Sequence, residues 1–540
     1  MRQLFATLVV VAGLIAAPGA QEAPSIVIVN ARVFTGVAAT PWAEAVAITG
    51  ERISTVGTNA EARAAASPST RVIDAGGKVI VPGFNDAHAH VGAGLVMTSL
   101  DGPPAVEHDP SLAEVTQRLA AAVAKAPDGQ WVIGEIGARV LDDPAATRFA
   151  LDAVAPRHPV ILQAWTGHGV LFNSAALRKL GVRDAEPDPP GGFYARTAGT
   201  RAITGVAHEY ADYILRQRMN APVGRAARVE AMRLYAAEAA RFGITSTQVM
   251  TTAMTTAETA DVVREAGGAL RTRLIDFPMT GIAAWAAPAS RAVPGTGLVT
   301  VSGTKWILDG TPVERLMFVR EPYSDRAGTR GASNFTGAEL AAFMTRALAA
   351  REQPMIHAVG DAAIDMVLDA LDASGGEKWQ PLRPRIEHGD MLEPAHYERA
   401  RRFGVVLVQN PSHMMLAADG AARLGERRSR TWLVKQALDA GVPLAFGSDG
   451  PMNPFLSVTF ATISAGNPEG AVTREQAVSA YTRGSAYAEF LEGEKGTIAR
   501  GMLADLAMLS QDIFTVPTPA LPGTVSVLTI VGGRIVHEGR

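Results

Sequence analysis

Short apolar runs alternate with alanine-rich stretches of helical period through the middle of the chain. GITSTQVM, LRTRLIDFP, VTVSGTKWILDG, QPMIHAVG, RPRIEHGD, GVVLVQNP and VPLAFGSDG, falling between Gly243 and Gly450, each have the length and apolarity of a buried strand. Most are separated by segments such as GAELAAFMTRALAAR and AAIDMVLDALDAS, whose apolar positions recur at helical spacing. The run that ends in VPGFNDAHAH makes eight strands. Strands alternating with helices predict an α/β protein with a parallel sheet, and eight such units suit a (β/α)8 barrel. Periodicity alone also allows an open doubly wound sheet, but no glycine-rich dinucleotide or Walker loop favours it.

The two ends read differently. PSIVIVNARVFTG, EAVAITGERISTVG and TRVIDAGGKVIVPG near the start, and GTIARGMLADLAMLSQD and TVSVLTIVGGRIVHEG near the finish, are short strands broken by Asn, Gly and Asp turns. They predict a small β-sandwich made of residues 21–80 and 495–540, with the barrel between them at 81–494. Residues 101–240 are too long for an ordinary strand-to-helix connection and predict an insertion that shapes a pocket at the top of the barrel.

Composition narrows the class. A chain of 540 residues that is 47% apolar and 19% charged is globular, and 50 basic against 53 acidic residues leave a net charge of -3, with no long run of one sign. That balance argues against a nucleic-acid partner and leaves a small molecule as the expected one; a homo-oligomer is compatible with it. Arg2, the apolar LFATLVVVAGLIAA and the small residues around Ala20 read as a cleavable export signal over residues 1–20, so the expected location is periplasmic or secreted. The apolar run is shorter than the roughly 20 residues that span a bilayer, so no stable membrane anchor is expected. There is no cysteine, which rules out disulfides and thiolate metal ligands.

Candidate chemistry gathers at the strand ends. His88 and His90 are two residues apart, and in an extended strand both would face one point, as two ligands of one metal must; the competing reading is two unrelated histidines. Lys305 lies in the fourth predicted strand, and His357, His388 and Asp449 end the fifth, sixth and eighth. In a barrel these ends converge on one face. His413, in the QNPSH segment after the seventh strand, is placed to reach the same mouth, whereas His108, His158, His208, His396 and His537 read as structural or solvated.

PGFNDAHAH, IHAVGD, RIEHGD and FGSDGP resemble, in order, the signature segments of the amidohydrolase superfamily. TGHGVLFNSAAL and PPGGFYARTAGTRAITGVAHE resemble its amidohydrolase 3 branch, which includes deformylases of N-substituted formamides. The resemblance implies a metal-dependent hydrolase of non-peptide C–N bonds. It makes His88 and His90 ligands of one divalent ion and His357 and His388 ligands of a second, with Asp449 beside the first as proton shuttle. Zinc is the expected metal, manganese or iron the alternatives. It also puts Lys305 where two-metal members carry a carboxylated lysine bridging both ions, although the stretch KWILDGTP departs from the family pattern through the bulky Trp306. His168, Asn173 and Glu209 are implied substrate contacts, their other reading being internal hydrogen bonding of the insertion. A lactone, carbamate, cyclic imide or phosphoester hydrolase would need the same site, and a noncatalytic regulator is a third reading.

Overall fold

The computed structural model describes residues 23–268, 270–286 and 298–539. The export signal expected over residues 1–20 lies outside the described residues.

Eight strands form one parallel sheet in sequence order: β1 (Phe84–Ala89), β2 (Ile244–Met250), β3 (Arg271–Asp276), β4 (Val299–Ile307), β5 (Pro354–Ala358), β6 (Arg385–His388), β7 (Val406–Gln409) and β8 (Leu444–Phe446). These are the eight runs read from the sequence. The sheet curls until its edges meet. There the Asp449 amide donates to the His88 carbonyl at 2.8 Å, and the Asp86 carboxylate accepts from the Ser448 amide (2.8 Å) and hydroxyl (2.6 Å). Gly447 permits this approach, since a Cβ there would collide with the backbone of His88. The open-sheet alternative therefore fails: this is a nearly closed (β/α)8 barrel.

The helices outside follow from local sequence. Gly337–Ala349 begins at a capping box, with Thr336 accepting from the Glu339 amide and Glu339 reaching back to the Thr336 amide. It then buries Leu340, Phe343, Met344 and Ala347, one stripe at helical spacing. Phe343 and Phe335 hold Trp306 between barrel and helix, with ring centroids 5.6 and 5.8 Å away. Strand alternation turns the neighbouring Lys305 to the opposite side, into the barrel. Trp306 is thus packed on the helix side of β4.

The chain ends build two further sheets. A six-stranded sheet pairs Val79–Pro82 with Leu506–Leu509, joining both ends of the chain, and a four-stranded sheet comes from the N-terminal portion alone. Ile28, Val46 and Ile80 from one end and Leu506, Leu528 and Ile530 from the other pack into one core between them. The insertion and the segment just before it hold a further six-stranded sheet, running from Gly192–Arg196 to Thr98–Ser99.

Candidate metal centre

Asp449 stands at the middle of the barrel mouth. Its Oδ1 lies 3.2 Å from His90 Nε2 and 3.7 Å from His88 Nε2, and its Oδ2 lies 3.7 Å from His413 Nε2 and 3.9 Å from His388 Nδ1. The donor atoms of His88, His388 and Asp449 all fall within 4.8 Å of one another. His357 completes the row, its ring 4.4 Å from that of His388, and its Nε2 is buried with no hydrogen-bond partner. A buried, unpartnered imidazole nitrogen is costly in itself and is what a metal ligand looks like without its ion.

The backbone is bent to bring these groups together. His388 and Asp449 have φ of 69° and 48°, in the left-handed region that non-glycine residues avoid at a cost of about 1–3 kcal/mol. In a regular strand Glu387 and His388 would face opposite ways; the turn at His388 brings both to the centre. Glu387 accepts from His88 Nδ1 at 2.6 Å, so the proton of that imidazole is fixed on Nδ1 and Nε2 presents its lone pair to Asp449. Arg385 in turn grips Glu387 through Nε (2.6 Å) and Nη2 (3.0 Å). On His90, Nδ1 lies 3.3 Å from the Met250 carbonyl and 3.2 Å from Thr252 Oγ1, while Nε2 faces Asp449 Oδ1 at 3.2 Å.

The electrostatics suit a cation. Burial, helped by the charge of Lys305, lowers the His88 imidazole to about 4, and burial likewise holds His357 and His388 well below the usual histidine range. All three are neutral at pH 7, as metal ligands must be. Burial pushes the Asp449 carboxyl up, but the imidazoles of His88 and His90 outweigh it and hold the group ionised. Burial lowers Lys305 to about 8 against the opposing pull of Glu387 and Asp449. About a tenth of that amine is therefore unprotonated at pH 7, the form that takes up carbon dioxide. Glu387 is kept at about 2, since Arg385 and the bond from His88 overcome burial. Neutral nitrogens of His88 and His388 and the ionised Asp449 converge as a divalent metal site requires, and the buried Lys305 feels the charges of Glu387 and Asp449.

Above the centre lies a cavity of about 530 Å³, lined by His168, His357, His388, His413 and Asp449 and by Trp165 of the insertion. His168 and His413 thus reach the cavity. Glu209 stands behind His168, accepting from its Nδ1 at 3.0 Å and from Asn334 Nδ2 at 3.0 Å, and it does not line the cavity. Asn173 is a correction: it is fully buried away from the cavity, where its side chain caps the helix Ser174–Lys179. Its Oδ1 accepts from the Ala176 and Val160 amides, and its Nδ2 donates to the Ala155 and His158 carbonyls. Asn173→Ala should therefore lose about 2–4 kcal/mol of stability, seen as a lower midpoint in thermal unfolding, with KM unchanged at a temperature where the variant is folded. A raised KM with unaltered unfolding would return Asn173 to the substrate.

The sequence assigns no role to Glu387, Arg385 or Asp86, although Asp86 stands just before the histidine pair. The signal for the first two was the period of two in RIEH, which sets Arg385 and Glu387 on one face immediately before His388. Asp309, also missed, accepts from the amides of Phe318, Val359 and Gly360 and comes within 3.7 Å of His357 Nε2. His108, His208, His396 and His537 bond to neighbouring groups as structural residues do.

The model of the Amidohydrolase family matches residues 71–537. The chain is 29% identical to an N-substituted formamide deformylase of Arthrobacter pascens, across 95% of this chain and 98% of that one. It is 27% identical to the protein LONG AFTER FAR-RED 3 of Arabidopsis thaliana, across 96% and 93%. Among solved structures, an uncharacterized metal-dependent hydrolase from Pyrococcus horikoshii OT3 superposes with a TM-score of 0.70 at 21% identity, covering 92% of this chain and 99% of that one, and so shares the fold.

Proposed function

Because the chain belongs to the amidohydrolase family, we propose that it hydrolyses a C–N bond of the amide or formamide type at the centre around Asp449. The observation that carries this reading is the convergence of His88, His388 and Asp449 donors within 4.8 Å beneath the cavity. His88 and His90 would hold one divalent ion and His357 and His388 a second, with a carboxylated Lys305 between them. Nitrogen and oxygen donors without sulfur favour zinc, ahead of manganese or iron. When bound, such ions make water acidic enough to attack near neutral pH and polarise a carbonyl.

The chain's own groups do the rest. Asp449 is ionised, so it can take a proton from the attacking water. Its two oxygens face different imidazoles, which hold the carboxylate in place as the proton moves on to the leaving nitrogen. That delivery matters because an amide nitrogen departs poorly unless protonated. His168 and His413, on the cavity wall, are placed to orient the substrate. We extend the proposal to location: residues 1–20 direct export, and no described helix is long and apolar enough to cross a membrane.

The test is a panel of formamides, amides, lactones and esters offered to zinc-reconstituted protein. Release of amine from formamides or amides is the expected result. Turnover confined to lactones or esters would contradict the C–N assignment.

A further inference from the structure

The cavity changes character along its depth. His357, His388 and Asp449 form its floor, while the insertion builds its mouth, where the carboxylates of Glu107 and Glu135 line the wall together with Trp165. Both acids are exposed, and the Ala105 amide, 3.2 Å from Glu135 Oε2, is the only hydrogen bond either side chain makes among the described residues. The basic groups nearby are engaged elsewhere: His108 with Glu114 at 3.0 Å, Arg139 with Glu114 at 3.7 Å, Lys125 with Asp101 at 2.8 Å. Arg118 lines an adjoining cleft that shares Glu135 but forms no ion pair with it. Among the described residues, no lysine or arginine lines the cavity itself. Glu209 accepts from His168 at 3.0 Å, and Asp449 and Asp390 also line the cavity. The wall also carries apolar groups, Val106, Pro312, Met415 and Leu456, beside Thr166 and Thr311.

We infer that the substrate is an amphipathic amide whose far end is a cation, a protonated amine joined by an apolar spacer to the C–N group being cleaved. This rests on the hydrolase reading above and specifies its substrate class. With the carbonyl on the floor, the spacer lies along these apolar groups and removes them from water. The ammonium then reaches two carboxylates that form no ion pair among the described residues, and the ring of Trp165, and both attract a cation. A substrate ending in a carboxylate would instead bring a third negative charge to the mouth.

The test uses three formamides with one scissile group and spacers of four to eight carbons, ending in ammonium, methyl or carboxylate. At its best spacer length, kcat/KM for the ammonium series should exceed the methyl series by about tenfold, and the carboxylate series should fall about tenfold below it. Salt at 1 M should shrink both differences, because exposed charges are screened. In the double variant Glu107→Gln with Glu135→Gln the ammonium-to-methyl ratio should collapse toward one. A flat wild-type series, or a ratio that survives the double substitution, overturns the inference. Calorimetric binding of the same probes to Asp449→Asn protein reads the charge preference without turnover. Preferential binding of the ammonium probe with no amine released by the wild type would overturn the C–N reading alone, and equal binding of all three probes overturns the inference.

Discussion

Replacing His88 and His388 together by alanine is expected to lower turnover by roughly 1,000-fold or more and to strip the protein of bound metal. The two imidazoles come from β1 and β6, and with Asp449 they make the tightest group of donors at the barrel mouth. Loss of an outer partner of a metal ligand typically costs about 10–100-fold in affinity, so removing two ligands at once costs more. The fold should survive. Glu387, freed of His88, keeps its two bonds from Arg385 and is not left as an unpaired buried charge. Elemental analysis and thermal unfolding on the same sample check both halves of the expectation. Wild-type activity and metal content in the double variant would show that ions bind elsewhere or are not needed.

The second large effect belongs to Asp449→Asn. The amide has nearly the size and much of the hydrogen bonding of the carboxylate, so it can stay among His88, His90, His388 and His413, but it cannot accept the proton of the attacking water. Turnover should fall by about 100-fold or more while most of the metal is retained. The contrast separates the two roles: the histidine variant loses metal and rate together, and the asparagine variant loses rate with little loss of metal. Ordinary turnover in Asp449→Asn on the best substrate would remove the proton shuttle from the mechanism.

How much of this was legible in the sequence follows from what each residue depends on. The eight barrel strands were readable because a parallel strand covered on both faces is apolar throughout, and each such run is bounded by a turn. His88, Lys305, His357, His388 and Asp449 were readable as a set because the barrel brings all strand ends to one face. Other features depend on distant partners. Glu387 takes its place from Arg385 and from a ring 299 residues away in sequence, and Asp86 closes the barrel against Ser448 at a separation of 362. Neither long-range pairing leaves a local pattern, although RIEH does set Arg385 and Glu387 on one face. Asn173 was misplaced for the opposite reason: a helix cap is local, but an Asn before a short helix inside a family-like segment reads equally well as a ligand contact. Trp306, an irregularity in the sequence, became intelligible only beside Phe335 and Phe343.

The central claim is that this barrel cleaves its substrate with metal held by His88, His90, His357, His388 and a carboxylated Lys305. It is tested most directly by stripping purified protein with a chelator and titrating zinc back in the presence of bicarbonate, while bound metal and amine release from a formamide are measured together. The account predicts that amine release is lost on stripping and returns in proportion to bound zinc, levelling at about two ions per chain. Full amine release from protein that elemental analysis shows to be free of metal would contradict it.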